Sequence, residues 1–151
     1  MTEQAAGEER DRTRIEEYRL LEQVGYHLRL ANQRYVGIFT SMIGDRLTTT
    51  QWAALIKLYE VQPCSQNKLG REIALDVATI KGVVDRLVLR GYVRAEPDET
   101  DGRRRVLSVT PEGVAAIRRN LGPAFAITEK ALEPLTPAEQ MMLYELLQKI
   151  S

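Results

Sequence analysis

The sequence predicts a mainly α fold that carries one β-hairpin. Three observations predict it. Apolar residues recur at intervals of three and four over most of the chain, the period of amphipathic helices. Helix starts are marked by residues that cap, at Thr48, Ser65, Asp76, Thr110 and Thr136. The stretch Tyr92–Val109 instead offers two short apolar runs about a polar tip containing Pro97 and Gly102. A helix pair followed at once by a hairpin with Arg103, Arg104 and Arg105 at its tip is the plan of a winged helix-turn-helix. The predicted fold class is therefore mainly α: a winged helix-turn-helix with an α+β wing, and N- and C-terminal helices left over to form a dimerisation layer.

Residues 1–12 read as a flexible polar start. Residues 13–46 read as a dimerisation helix, expected as one piece from Arg14 to about Ile43 with a kink near Gly37. Its apolar series Leu21, Val24, Leu28, Ala31, Tyr35, Ile38 and Met42 alternates three and four, a heptad seam that needs a partner surface. Residues 47–110 read as the DNA-binding lobe. Thr48 and Gln51 stand at the capping-box interval before Trp52, Leu55, Ile56 and Leu58, and Pro63 ends that helix. Ser65 caps a short helix with Leu69 and Ile73 inward. Asp76 caps the next, with Ile80, Val83, Val84 and Leu87 inward and Gly91 as its left-handed C-cap. Strands follow at Tyr92–Ala95 and Val106–Val109. Residues 111–151 read as C-terminal dimerisation helices. Thr110-Pro111 opens the first, running to about Glu133. Thr136-Pro137 opens the second, with Glu139 completing a capping box.

A chain of 151 residues with 44% hydrophobic residues has room for one core, and its 2 Phe and 1 Trp make that core aliphatic. No apolar run is long enough to span a membrane, and the N-terminus MTEQAAGEERDRTR lacks the apolar segment of a signal peptide. With a single cysteine there is no internal disulfide framework. A cytoplasmic location is the expectation. The net charge is zero, but its distribution is uneven. Residues 1–22 hold four basic and seven acidic side chains, whereas residues 64–105 hold nine basic and seven acidic. Local patches, not the total, decide nucleic-acid binding.

In a helix-turn-helix the second helix enters the major groove, its early residues nearest the bases. Here its outward residues are Ala78, Thr79, Lys81, Gly82, Asp85 and Arg86. Thr79 suits a base or a thymine methyl, and Lys81 suits guanine or phosphate. Ala78 and Gly82 lack bulk and allow close approach. Ser65, Gln66 and Asn67 open the preceding helix, where free N–H groups suit a phosphate. In the wing Arg103 is the first choice for minor-groove or backbone contact, with Arg104 beside it and Asp101 expected to hold the Arg103 guanidinium. The alternatives are a solvated helix face, plain capping by Ser65 and a surface ion pair worth about 0–1 kcal/mol.

The run from Leu47 to Gly113 resembles the core of MarR-type regulators. The matching pieces are Leu47-Thr48-x-x-Gln51, Val84-Asp85-Arg86-Leu87 leading to Arg90-Gly91, Asp101-x-Arg103 in the wing, and Leu107-Ser108-Val109-Thr110-Pro111-Glu112-Gly113. Gly102 departs from the pattern, where many members carry another Arg. The resemblance implies a homodimer with interlocked terminal helices, including Leu21, Val24, Leu28, Leu143, Leu146, Leu147 and Ile150. It implies binding to pseudo-palindromic double-stranded DNA, repression of nearby genes, and release by a small phenolic or aromatic acid. The segment DVATIKGVVDRL is similar to the subgroup near regulators of aromatic-acid breakdown.

An aromatic carboxylate needs a flat apolar slot with one or two cationic or hydroxyl groups. The candidates are Tyr26, His27, Leu30, Arg34 and Tyr35, with Trp52 on the next helix. Two roles stay open for His27, a ligand partner or an interface histidine bonded to a backbone carbonyl. Trp52 is open between core and ligand platform. One His and one Cys cannot supply a tetrahedral zinc site, so no metal is expected, nor any cofactor. Cys64, near a helix start that favours thiolate, leaves redox sensing as an alternative. An enzyme is not expected, because no G-x-S-x-G or phosphate-binding glycine loop occurs. A winged protein-interaction module without DNA is the remaining class.

Overall fold

Five capping side chains set five helix starts. In a computed structural model, which describes residues 3–151, Thr48 Oγ1 accepts the Gln51 N–H at 3.2 Å and Gln51 Oε1 accepts the Thr48 N–H at 3.1 Å. Ser65, Asp76 and Thr110 accept the N–H groups of Lys68, Thr79 and Gly113 at 3.2, 2.8 and 3.0 Å. Thr136 and Glu139 complete the second capping box. Each such cap stabilises its helix by about 1 kcal/mol.

The helices are α1 (Glu3–Glu17), α2 (Val24–Met42), α3 (Thr49–Val61), α4 (Gln66–Glu72), α5 (Val77–Leu89), α6 (Pro111–Leu132) and α7 (Pro137–Ile150). The strands are β1 (Cys64–Ser65), β2 (Val93–Pro97) and β3 (Arg105–Val109), in the antiparallel order β1-β3-β2. β3 pairs Leu107 with Ala95 on one side and with Cys64 on the other. The chain divides into two compact units, residues 1–35 and 36–151.

The expected single helix over 14–43 is corrected in the first unit. α1 ends at Glu17, a 3₁₀ turn covers Leu20–Glu22, and α2 restarts at Val24; Gly37 lies inside unbroken helix. The break is supported by side chains that satisfy the freed carbonyls. Gln23 donates to Arg19 O at 3.0 Å, and His27 Nε2 meets Leu21 O at 2.7 Å. The polar start is helical from Glu3; Met1 and Thr2 lie outside the described residues.

The core lies in the second unit. Leu55, Leu58, Leu69, Val84 and Leu107 are fully buried, joined by Phe39, Ile80, Leu87, Ala116 and Ile127. α5 buries Ile80, Val83, Val84 and Leu87, the stripe read from the sequence. Gly91 takes φ 75°, as a left-handed C-cap requires, and its N–H bonds Val88 O at 2.9 Å. The wing joins α6 at a tight seam. The Thr110 N–H bonds Tyr92 O at 3.0 Å, and a Cβ on Gly113 would run into that carbonyl and into Val109 Cγ1 at 2.7 Å.

One polar junction closes this core. Asn120, 1% exposed on α6, accepts the Gly44 N–H at 2.7 Å and donates to Asp45 Oδ2 at 2.7 Å and Ala116 O at 2.9 Å. Arg119 pairs with the same carboxylate at 3.4 Å, and Arg90, just past α5, donates to Asp45 O. Asp45 and Arg46 both sit at positive φ, 55° and 49°. The sharp α2–α3 turn is thus held from α6 and from the end of α5.

Candidate nucleic-acid interface

Three elements bring cations and hydrogen-bond donors to one cleft. Its lining is Ser65, Gln66, Asn67 and Arg71 from the start and body of α4, and Arg103, Arg104 and Arg105 from the wing, around a volume of about 260 Å³. β1 is what brings them together. By pairing with β3 it fixes the start of α4 beside the wing strand, with Ser65 opposite Val106. Among the described residues the guanidiniums of Arg71, Arg86 and Arg103 form no ion pair or hydrogen bond. These are permanent charges available to an outside anion.

The other wing cations are spoken for. Arg105 Nη1 lies 2.6 Å from Asp85 Oδ1 and 3.4 Å from Gln66 Oε1. Asp85 also takes Lys81 at 2.7 Å, and these two partners, Lys81 first, hold its carboxyl below the usual carboxylate range. Asp85 therefore ties the outer face of α5 to the base of the wing. At the tip, Asp98 accepts the Thr100 hydroxyl at 2.6 Å and the N–H groups of Thr100 and Asp101, which keeps its carboxyl low as well.

Two sequence expectations change in detail. Asp101 Oδ1 takes the backbone N–H of Arg103 at 3.1 Å, and its Oδ2 pairs with Arg104 at 3.3 Å. It orders the Arg103 backbone and leaves that guanidinium loose, because a one-residue spacing favours the near N–H over the long side chain. Thr79 was expected to hydrogen-bond a base or to pack its methyl on thymine. The hydroxyl instead donates to Asp76 Oδ2 at 2.6 Å, inside the cap. Ser65 does cap, while Ala78, Thr79, Lys81 and Arg86 are exposed and Gly82 half-buried, as an outer face requires.

The expected ligand residues do not form one described site. In the first unit, His27 is bonded to the Leu21 carbonyl and stands edge-on to Tyr26 at 5.6 Å, the backbone-bonded role left open for it. Arg29 lies over the Tyr26 ring at 5.3 Å. Leu30 and Tyr35 are exposed, and Arg34 and Tyr35 both have partners. In the second unit Trp52 packs against the core. A different cavity, about 380 Å³, is lined there by Val36, Thr40, Ile43, Arg46, Leu47, Thr48 and Thr49. The sequence signal for it was weak, because Arg46 reaches it from a left-handed turn that no periodicity announces. Arg71 was also missed, although it stands four residues after Asn67 on one helix.

Cys64 is buried, and burial pushes its thiol pKa up. It sits in β1 behind the wing strand, so the argument for a favoured thiolate loses its basis.

Comparison with known proteins fits this geometry. The MarR family model matches residues 47–104, from the α3 cap to the wing tip. The transcriptional repressor NicR of Pseudomonas putida is 36% identical over 88% of this chain and 85% of its own length. The chain belongs to the MarR family. It is a transcriptional regulator of that family, and not an enzyme. A probable transcriptional regulator from Pseudomonas aeruginosa superposes with a TM-score of 0.85 at 49% identity, covering 88% of this chain and all of that one. Bordetella bronchiseptica BpsR, whose DNA binding is regulated by 6-hydroxynicotinic acid, superposes at 0.83 with 35% identity, over 88% of this chain and 96% of its own. The outer surface of this MarR-family lobe is the cleft described above. Among the described residues no helix is long and apolar enough to cross a membrane, and no group of metal-ligating side chains gathers.

Proposed function

We propose that this MarR-family chain is a homodimeric repressor that binds a pseudo-palindromic operator and leaves it when a small aromatic carboxylic acid binds. The observation that carries the reading is the cleft, where Asn67, Arg71 and Arg103 converge with no side-chain partner among the described residues, tied to the outer face of α5 through Arg105 and Asp85. Such a cleft clamps phosphate while α5 lies in the major groove and the wing follows the backbone. Exposed Leu21, Val24 and Leu28 in the first unit, and Leu146, Leu147 and Ile150 with half-buried Leu143 in the second, each supply apolar surface for a second copy to cover. Repression follows the resemblance to NicR, and the ligand class follows BpsR.

The cavity around Arg46 is the best seat for the acid in the second unit. Val36, Ile43 and Leu47 suit an aromatic ring, and Arg46 beside the first turn of α3 suits its carboxylate. Arg46 adjoins Asp45, which α6 and Arg90 hold. A ligand that pulls Arg46 therefore acts on the turn that fixes the end of α5.

Fluorescence anisotropy on DNA from upstream of its own gene tests this, with titration by 6-hydroxynicotinic, nicotinic and benzoic acids. Binding at low salt that one acid reverses supports the reading. No binding at low salt sinks the DNA role, and binding that none reverses sinks the ligand class. Replacing both Lys81 and Arg103 by Ala separates a DNA-binding protein from a protein-interaction module. DNA affinity collapses in the first case, while folding and dimerisation persist.

A further inference from the structure

Among the described residues the outer face of α5 leaves the Arg86 guanidinium free near its far end, and its start offers few free hydrogen-bonding groups. Val77, Ala78, Lys81, Gly82 and Asp85 share one side, at spacings of four and five. The Thr79 hydroxyl is committed to Asp76, and Lys81 is drawn to Asp85, which also holds Arg105. What remains at the start of the helix is apolar: Val77, 68% exposed, Ala78, and the Thr79 methyl.

Two features of this face have no explanation within the chain. Val77 occupies the first helical position, where the dipole favours an acidic residue and a β-branched one is a poor choice. It contributes nothing to the inner stripe, which is complete from Ile80 to Leu87. Gly82 lies inside the helix, where glycine costs about 0.5–1 kcal/mol relative to alanine. A Cβ there would meet nothing within 4 Å. The same is true of Gly25, Gly37 and Gly122, so what sets Gly82 apart is its place on the outward side of α5.

We infer that Val77 is a specificity-determining residue that reads thymine through its C5-methyl group in the major groove, with Gly82 keeping the helix low enough for the contact. The inference rests on the DNA-binding reading above. The adjoining cleft, with the free guanidiniums of Arg71 and Arg103, gives the complementary charge that sets this apolar face against DNA and not against a protein or lipid surface. The thymine methyl is the one apolar group that the major groove offers a base reader. A valine whose adjacent cap groups, Asp76 and the Thr79 hydroxyl, are engaged with each other matches that chemistry.

The experiment begins by selecting bound duplexes from a random DNA pool with the full-length protein. Each thymine of the recovered site is then replaced by deoxyuridine, which removes only the methyl. At one or two positions per half-site the wild-type protein loses about 3- to 5-fold in affinity, the value of one buried methyl. Val77→Ala, which loses the contact in both half-sites, binds the thymine duplex about 9- to 25-fold more weakly and no longer distinguishes thymine from uracil there. Val77→Ile, which keeps the branched apolar tip, retains the distinction. Gly82→Ala melts higher and binds every duplex more weakly. Sensitivity to deoxyuridine that survives in Val77→Ala overturns the inference while the DNA role stands, as does a wild-type site with no sensitive thymine. A pool that yields no preferred sequence overturns both.

Discussion

The helix-turn-helix lobe and α7 treat their apolar residues in opposite ways. In the lobe, α3, α4 and α5 bury Leu55, Leu58, Leu69, Ile80, Val84 and Leu87 against one another and the wing. α7 has a strong cap and a regular apolar series, yet buries none of its residues, with Met141, Met142, Tyr144, Leu146, Leu147 and Ile150 all exposed. Both helices satisfy the same local rules of capping and periodicity. The difference lies in what is available to pack against. The lobe is complete in one copy, and in the proposed dimer α7 is half of an interface.

The largest effect expected from that contrast follows Leu146→Glu with Leu147→Glu. Two charges on the seam turn the dimer into a monomer at micromolar concentration in sedimentation, and operator affinity falls at least about 100-fold because two half-sites no longer act together. Amide exchange in α3, α4 and α5 stays slow. If those helices lose protection together with the dimer, the lobe is not self-sufficient and the contrast fails.

Asn120→Ala strikes the lobe from within. It removes the partner of the Gly44 N–H and one of the donors to Asp45, leaving Arg119 as the other side chain on that carboxylate. The expected loss is about 2–3 kcal/mol in urea denaturation, with the dimer still formed at low denaturant. A loss below about 0.5 kcal/mol would show that the α2–α3 turn holds its positive-φ pair without this junction.

Arg103→Ala addresses the lobe's outer surface. On the proposed reading the free guanidinium contributes phosphate binding and little stability, so affinity falls about 10-fold at low salt and the melting temperature is unchanged. The slope of log affinity against log salt becomes shallower by about 0.9 for each lost contact, hence by about 1.8 for a dimer. Arg105→Ala behaves differently, because it releases Asp85 and loosens the wing from α5. Equal behaviour of the two variants would erase the distinction between free and engaged cations.

Much of this was legible in the sequence, and the failures share a cause. Thr48, Ser65, Asp76, Thr110 and Thr136 act on groups three residues away, so their caps were readable from spacing alone. The same holds for the α5 stripe and for Gly91. Cys64–Ser65 was not read as a strand, because two residues carry no period and the pairing with Leu107 spans 43 positions of chain. The break at Tyr18–Gln23 was missed for a related reason. The heptad pattern runs straight through it, and the groups that stabilise it are side-chain bonds to Arg19 and Leu21 carbonyls. The candidate site divides in the same way. Ser65, Gln66, Asn67, Arg103 and Arg104, which line the cleft, were named because they flank local signals, whereas Arg71, Asp85 as a tie and the Arg46 cavity depend on packing between elements.

The smallest expected effects test the turn between α4 and α5. Ala74 sits there at φ 54°, strained for a residue with a Cβ, while the Leu75 N–H reaches back to Gly70 O at 2.9 Å. Ala74→Gly removes the strain and also loosens the unfolded chain, so the net gain is a few tenths of a kcal/mol up to about 1. At the other end of the turn, the hydroxyl and N–H of Thr79 hold the Asp76 carboxyl below its usual range. A depressed folded-state value means that its contribution is complete above the unfolded value of about 3.9 and is lost as pH falls through the folded one. Melting temperatures measured from pH 6 down to 3 therefore fall in the wild type, and Asp76→Asn removes part of that slope while leaving the neutral-pH value nearly unchanged. If the two profiles stay parallel, the Asp76 cap does not contribute as a carboxylate, and the start of α5 is held by packing, as the rest of the lobe is.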